Sequence, residues 1–138
     1  MKKKKNSKLS VGQVIIPVGH PNPPEPHEED SAKVLAKHYK CTVEFLVPVD
    51  DYMRKTADII MLGVEWEIKS PTGSSRFAIQ RQFQRASKQA RHIIIDSRRT
   101  KLDYASIEKS IRFEMNKRSY IKKVILIDKF ENVVEFRK

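Results

Sequence analysis

The most constraining feature of this 138-residue chain is the stretch ADIIMLGVEWEIKS at residues 57–70. Two apolar runs flank Leu62 and Gly63, a pattern that predicts two strands joined by a tight turn. Charged side chains interrupt the runs at four positions, Asp58, Glu65, Glu67 and Lys69. Because a buried charge is unfavourable unless it is paired or binds a metal, these charges indicate a role beyond packing.

Side chains alternate between the two faces of a strand, so Trp66 is expected to face the core while Glu67 and Lys69 face away from it. A two-residue turn places Asp58 on the same face as that pair, whether the turn is Leu62–Gly63 or lies one residue later. A three-residue turn would reverse the relation. The hairpin therefore predicts two carboxylates and a lysine within reach of each other.

Such a group can perform phosphate chemistry. Carboxylate oxygens from Asp58 and Glu67 suit Mg²⁺ or Mn²⁺, and the metal would neutralise charge on a phosphate. Lys69 could orient or deprotonate an attacking water, or stabilise the charged phosphorus centre. The alternative is a set of ordinary ion pairs on a solvated sheet face, which the acid-x-lysine pattern does not exclude.

Hydrophobic periodicity in the rest of the chain predicts an α/β domain with a mixed sheet. Its elements follow the order α-β-β-β-α-β-α-β-β. The helices are expected at 28–39, 76–91 and 103–117, and the strands outside the hairpin at 41–49, 92–96, 122–128 and 132–138. The inward positions expected for the helices are Ala32, Leu35, Ala36, Tyr39, Ile79, Phe83, Ala86, Ala90, Tyr104, Ile107, Ile111 and Met115.

The N-terminal part of the chain differs in composition from the rest. Residues 1–26 are lysine-rich and then proline-rich, which predicts a flexible tail ahead of one domain at 27–138. The tail lacks the long apolar segment of a signal peptide, and no stretch has the roughly 18 apolar residues of a membrane span. Cys41 is the only cysteine, so no internal disulfide forms, and a reducing, cytoplasmic setting is expected.

The net charge of +11 is unevenly distributed along the chain. Residues 25–68 hold ten acids and five bases, whereas residues 70–123 hold fourteen bases and four acids. A basic surface is the usual footprint of a protein that binds a polyanion, although a merely soluble basic protein has the same composition. The candidate phosphate contacts are Arg81, Arg85, Lys88, Arg91, Arg98, Arg99 and Lys101.

Metal sites of other kinds are disfavoured by the sequence. The four histidines show no metal-ligand spacing and have no cysteine partners, so the sequence favours Mg²⁺ over zinc. Glu28 lies on the apolar face of the first helix, where a carboxylate is unexpected. It is a candidate further ligand or water-positioning group, with Glu29 as the alternative because the helix phase is uncertain by one residue.

The spacing D-x8-E-x-K at Asp58, Glu67 and Lys69 resembles the motif of PD-(D/E)XK nucleases. The segments HEEDSAKVLAKHY, SKQARHIIIDS and IKKVILIDKFENVVEF, taken with the hairpin, resemble the C-terminal nuclease domain of contact-dependent growth inhibition toxins. This resemblance covers residues 28–138. It implies a restriction-endonuclease-like mixed central sheet flanked by helices, and metal-dependent cleavage of nucleic acid, typically tRNA.

Carried onto this chain, the resemblance implies an acidic centre of Glu28, Asp58 and Glu67, with Lys69 as the catalytic lysine. Gln89 occupies a position where a polar group near the site is expected. Two other functions stay open: a DNA endonuclease or junction resolvase that uses the same site, and a nucleic-acid-binding protein without catalysis. A cognate immunity or inhibitor protein is a further candidate partner.

Overall fold

The computed structural model describes residues 12–48, 57–86 and 90–138. Within them the chain forms a mixed α/β arrangement, and it divides into two compact units, Met1–Glu65 and Trp66–Lys138. The elements in chain order are β1 (Gln13–Ile15), α1 (Pro26–Tyr39), β2 (Thr42–Phe45), β3 (Ile59–Met61), β4 (Val64–Lys69), α2 (Ala78–Arg85), β5 (His92–Asp96), α3 (Tyr104–Lys117), β6 (Lys123–Ile127) and β7 (Val133–Arg137).

In the first unit, β2 lies between β1 and β3. It pairs in parallel with β1 and antiparallel with β3, with Val43 opposite Met61 in the second pair. The strand β1 lies within residues 1–26, for which the sequence predicted a flexible tail, and residues 1–11 of that segment lie outside the described residues. Gly12 explains how this strand docks: its φ is 91°, and a Cβ there would collide with the carbonyl oxygen of Ala36.

Helix α1 begins two residues before the expected position because Pro26 suits the first turn of a helix. It ends at Lys40, whose left-handed backbone (φ 53°) lets Cys41 N donate to Ala36 O at 3.2 Å. The apolar face predicted from periodicity is confirmed for its centre, which is buried. The buried residues are Ser31, Ala32, Leu35 and Ala36.

In the second unit, β4, β5 and β6 run parallel and β7 pairs antiparallel with β6. Glu67 registers with Ile93, which registers with Val124, so these side chains share one face. Helices α2 and α3 contribute to the apolar cluster on that face. Its members are Ile79, Phe83, Ala86, Ile93, Ile95, Ile107, Ile111, Met115, Ile121, Val124, Leu126 and Phe136.

Two helix predictions are corrected here. The helix expected at 76–91 ends at Arg85, because Ala86 adopts an extended backbone (ψ 151°) and packs into the core instead of continuing the helix. Tyr104, expected to face inward, is 42% exposed. It is the first residue of α3, and the buried stripe of that helix starts one turn later at Ile107.

The turn between β3 and β4 consists of Leu62 and Gly63, with φ values of 52° and 77°. Two successive positive φ values are typical of a two-residue type I′ hairpin turn. This confirms one of the two turn positions expected from the sequence. None of the helices in the described parts of the chain combines the length and hydropathy that crossing a bilayer requires.

Candidate active site

The central feature of the candidate site is an ion pair on β4. Glu67 Oε2 lies 3.3 Å from Lys69 Nζ, and the two residues are neighbours on one face of the strand. Glu67 is only 5% exposed, while Lys69 is half-buried. The sequence alternative of an ion pair on a solvated sheet face is therefore wrong for Glu67.

The parallel sheet explains this burial. Glu67 and Lys69 register with Ile93 and Ile95 of β5, whose side chains belong to the apolar cluster that includes α2 and α3. The expectation that Trp66 faces the core and Glu67 faces away is thus incomplete, because Trp66 and Glu67 are both buried. A strand buried on both faces does not show the simple alternation of a half-exposed one.

Ser70 follows directly after Lys69 at the end of β4. Its Oγ is buried and has no hydrogen-bond partner, a state that is unfavourable for a hydroxyl group. The hydroxyl can donate one hydrogen bond and accept others. It is therefore a buried, unsatisfied polar group at the end of β4.

Trp66 and its neighbours occupy the opposite face of the same strand. The rings of Trp66 and His92 meet edge to face at 5.1 Å between centroids, and Lys123 Nζ lies 5.8 Å from the Trp66 ring. Burial lowers the pKa of His92, and the positive charges of Lys123 and Arg91 lower it further. These contacts support the sequence interpretation that Trp66 and His92 are structural residues.

The other two acids of the predicted centre belong to the first unit. Asp58 is half-buried just before β3, and its carbonyl oxygen accepts a 2.9 Å hydrogen bond from Leu46 N. Glu28 Oε1 accepts a hydrogen bond from Glu25 N at 2.8 Å, which forms one half of a capping box at the start of α1. The alternative acid, Glu29, lies 3.8 Å from Lys33 in an exposed ion pair.

The cations predicted to contact phosphate fall into two groups, those engaged by another side chain of the protein and those that are exposed. Arg98 is engaged: its guanidinium binds both carboxylate oxygens of Asp96, at 3.0 and 2.7 Å, and Glu131 at 3.1 Å. The hydrogen bonds that Arg98 donates to Asp96 raise the pKa of Arg98. Its prediction as a phosphate contact neglected these partners. Asp96 itself was not singled out, although an acid that ends the apolar run HIIID was a detectable signal.

Arg81 is also engaged, because its two terminal nitrogens lie 3.2 and 3.5 Å from Ser75 Oγ. Arg85, at the end of α2, and Arg99, in the loop after β5, are exposed and stay candidates for phosphate contact. Lys88 and Gln89 lie outside the described residues.

Backbone contacts join the loops that follow β4 and β5. Gly73 O accepts hydrogen bonds from Lys101 N at 2.7 Å and from Thr100 Oγ1 at 2.8 Å. Because β4 and β5 are parallel, both loops leave the same edge of the sheet. Lys69, Ser70 and Arg99 are thus held at one edge.

The described residues include carboxylates that suit a metal ion but no group of side chains that forms a complete cage for one. Across residues 12–48, 57–86 and 90–138, no group of three or more His, Cys, Asp or Glu side chains is arranged to hold a metal ion. Mg²⁺ does not require such a cage, since one or two carboxylates together with water and substrate phosphates commonly hold it. Carboxylates are the donors that this ion prefers, so the candidate acids are chemically suitable.

The chain is similar to known proteins both in sequence and in fold. A family model described as the contact-dependent growth inhibition CdiA C-terminal domain matches residues 55–133. The fold is similar to that of a chain in the CdiA-CT/CdiI toxin and immunity complex from Burkholderia pseudomallei, with a TM-score of 0.68 and 21% sequence identity over 91% of this chain and 100% of the other. No curated protein matches the chain.

Proposed function

Since the chain belongs to the contact-dependent growth inhibition CdiA C-terminal domain family, we propose that it is a nuclease toxin whose substrate is RNA, and tRNA in particular. The observation that carries the nuclease part is the Glu67–Lys69 pair, a carboxylate and an ammonium group 3.3 Å apart on a strand that is largely buried. An acid-x-lysine pair on such a strand is what the resemblance to PD-(D/E)XK nucleases requires.

The length of the hairpin turn is the reason for including Asp58 in the proposed site. With a two-residue turn at Leu62–Gly63, the register of the hairpin would place Asp58 on the same face as Glu67. Asp58 and Glu67 are then the carboxylates that would hold Mg²⁺ or Mn²⁺. When bound, the metal would neutralise charge on the scissile phosphate and lower the pKa of a water molecule.

Lys69 acts on the phosphate in this proposal. An ammonium group has three N–H donors, so the contact with Glu67 leaves capacity to bind a phosphate oxygen or to orient the attacking water. The carboxylate of Glu67 fixes where Lys69 Nζ points.

The first test is incubation of the purified protein with total tRNA and with plasmid DNA. Each substrate is incubated with Mg²⁺, with Mn²⁺ and with EDTA. The proposal expects tRNA to be cut in the presence of metal and to be spared in EDTA. Cutting of plasmid DNA alone would instead support the DNA endonuclease or junction resolvase. Binding without cutting under every condition would support the non-catalytic protein.

Lys69→Ala is the variant that tests the role of the site, and Lys123→Ala is its matched control. Both lysines lie on strands of the second unit, and each forms a 3.3 Å ion pair with a glutamate, Lys69 with Glu67 and Lys123 with Glu135. Their side chains are 17% and 22% exposed. Lys69→Ala is expected to lower cleavage by about 100-fold or more, while Lys123→Ala retains it.

A cognate immunity protein belongs to the same proposal. The similar structure is that of a toxin and immunity complex, and a chain of this family that acts inside a cell would need neutralisation in the cell that makes it. The expected result is that a protein encoded beside this chain binds it stably and suppresses its cleavage of tRNA. Suppression should not depend on the metal concentration if the inhibitor acts by covering the site.

A further inference from the structure

A cavity of about 370 Å³ lies in the second unit and takes no part in the mechanism proposed above. Tyr104, Ile107 and Phe130 line it together with four polar residues, Ser97, Asp103, Asp128 and Lys129. Tyr104 is 42% exposed and Phe130 is 86% exposed, so two aromatic rings remain accessible to a ligand. Its volume lies near the lower end of the range found for small-molecule sites, which is roughly 300–1,000 Å³.

The carboxylates of the cavity are already hydrogen-bonded within the protein. Asp103 Oδ1 caps α3 by accepting from Ser106 N at 2.9 Å, and hydrogen bonds from the side chain and the backbone of Ser106 lower the pKa of Asp103. Asp128 Oδ1 accepts from the backbone nitrogens of Phe130 and Asn132, both at 2.8 Å. These two negative charges disfavour a phosphate inside the cavity.

The other polar side chains of the cavity are engaged as well. Ser97 Oγ donates to Ile127 O at 2.8 Å, and Lys129 Nζ donates to Thr100 O. The lining therefore offers aromatic and aliphatic surface rather than hydrogen-bonding groups that would read the edge of a base. A flat, uncharged aromatic group is the ligand that such a lining accepts.

The cavity lies at the same edge and on the same face of the second unit's sheet as the Glu67–Lys69 pair. It is formed where β5 and β6 end, and these strands run parallel to β4. Its residue Ile107 belongs to the apolar cluster on the face that carries Glu67. Adjacent strands are about 5 Å apart, so β5 and β6, which lead into the cavity, lie one and two strand spacings from β4 across the sheet.

Two exposed cations lie in the loop that supplies part of the cavity lining. Arg99 and Lys101 fall between the lining residues Ser97 and Asp103, and Lys101 N donates to Gly73 O in the loop after β4. Phosphates of a nucleic acid strand that contact these cations would therefore lie at the loop that borders the cavity. Stacking of a base on an aromatic side chain tolerates any base, because every base has a π face.

We propose that this cavity binds one unpaired base of the RNA strand, stacked against Tyr104 and Phe130, close to the phosphate at Glu67 and Lys69. The inference rests on the proposed function, because it takes nucleic acid to be the ligand. It adds a requirement to that function: the substrate must present an unstacked base near the cut. An apolar side chain of a protein partner is the competing occupant.

The test is binding of a short single-stranded RNA oligonucleotide in EDTA, so that affinity is measured without cleavage. A series of oligonucleotides carries one abasic nucleotide moved along the strand. The full-length protein is compared with the Tyr104→Ala/Phe130→Ala double variant. Phe113→Ala is the matched control, because Phe113 is an exposed aromatic residue of α3 that does not line the cavity.

The proposal expects the unmodified protein and Phe113→Ala to lose about 10-fold or more in affinity at one abasic position. The double variant should bind the intact oligonucleotide as weakly as the unmodified protein binds the abasic one, with no further loss. Equal sensitivity of all three proteins to every abasic position would overturn the inference. So would a double variant that binds RNA normally but no longer binds a cognate immunity protein.

Cleavage of tRNA in Mg²⁺ separates this inference from the proposed function. If the double variant and the unmodified protein cut tRNA equally well and bind the abasic series alike, the cavity inference fails and the nuclease stands. If the abasic effect is present but no condition yields cutting, the base site stands and the nuclease fails.

Discussion

Two ion pairs of the second unit have the same sequence spacing and different surroundings. Glu67 and Lys69 are two residues apart at the end of β4, and Asp96 and Arg98 are two residues apart at the end of β5. Both acids are nearly inaccessible, with exposures of 5% and 3%. From the sequence alone, either pair could be a catalytic acid and cation.

The cations differ in how fully their donors are used. Arg98 holds both oxygens of Asp96 and extends to Glu131, so its planar guanidinium is occupied on two sides. Lys69 makes a single described ion pair, at 3.3 Å from Glu67. Lys69 therefore retains N–H donors for a substrate, and this difference is the reason for proposing the Glu67–Lys69 pair as the catalytic one.

The largest expected stability effect tests the Asp96–Arg98 pair. Arg98→Met leaves the buried carboxylate of Asp96 without its cation, which should lower the free energy of unfolding by about 3 kcal/mol. Urea unfolding measures this loss. Cleavage of tRNA per folded molecule should be unchanged, because Arg98 is assigned to structure.

Arg137→Met is the control for Arg98→Met. Arg137 lies 2.8 Å from Glu135, a distance similar to that in the Arg98 pair, but its side chain is exposed. An exposed pair contributes less than about 1 kcal/mol. If Arg98→Met were as stable as Arg137→Met and bound RNA with a weaker salt dependence, Arg98 would be a phosphate contact after all.

A smaller effect is expected at Glu28, where a capping role and a catalytic role can be separated. Glu28→Ala removes the hydrogen bond to Glu25 N and should lower the free energy of unfolding by about 1 kcal/mol. Glu28→Gln keeps an oxygen acceptor and should preserve stability. If Glu28 supports the acidic centre, Glu28→Gln still lowers cleavage by about 10- to 100-fold. Unchanged cleavage by a stable Glu28→Gln would leave only the capping role.

The smallest effect concerns His92. Its pKa in the folded chain is lowered from 6.5 by burial and by Lys123 and Arg91. Below the unfolded pKa, the unfolded state binds more protons, so stability should fall as pH decreases through the region just below 6.5. Urea unfolding should show this slope reduced in His92→Gln. An identical reduction in the pH dependence of tRNA cleavage would contradict the structural assignment of His92.

Local periodicity was sufficient to predict most helices and strands, because their apolar faces are built from neighbouring residues. It could not predict β1, whose three residues are held by Gly12 packing on Ala36, a contact distant in sequence. Helix α2 was overextended because the periodic stripe continues to Ala90 although the backbone leaves the helix at Ala86.

The residues of the candidate site could be predicted from the sequence, but their burial and their longer-range contacts could not. The pattern at Glu67 and Lys69 is local, and the structure confirms that the two side chains lie together. Burial of Glu67 depends on its register with Ile93, and the engagement of Arg98 depends on Glu131, so neither follows from local spacing. The roles of Asp58 and the metal stay predictions, as does a cytoplasmic site of action.

The most direct measurement compares two double variants that each remove one complete ion pair. Glu67→Gln/Lys69→Met and Asp96→Asn/Arg98→Met both avoid leaving an isolated buried charge at the pair, and replacing a buried pair in this way is often neutral for stability. Each is incubated with tRNA and Mg²⁺ after its fold has been checked by circular dichroism. We expect a loss of cleavage of about 100-fold or more for the first variant and retained cleavage for the second. Equal cleavage by both folded variants would contradict the assignment of Glu67 and Lys69 to catalysis.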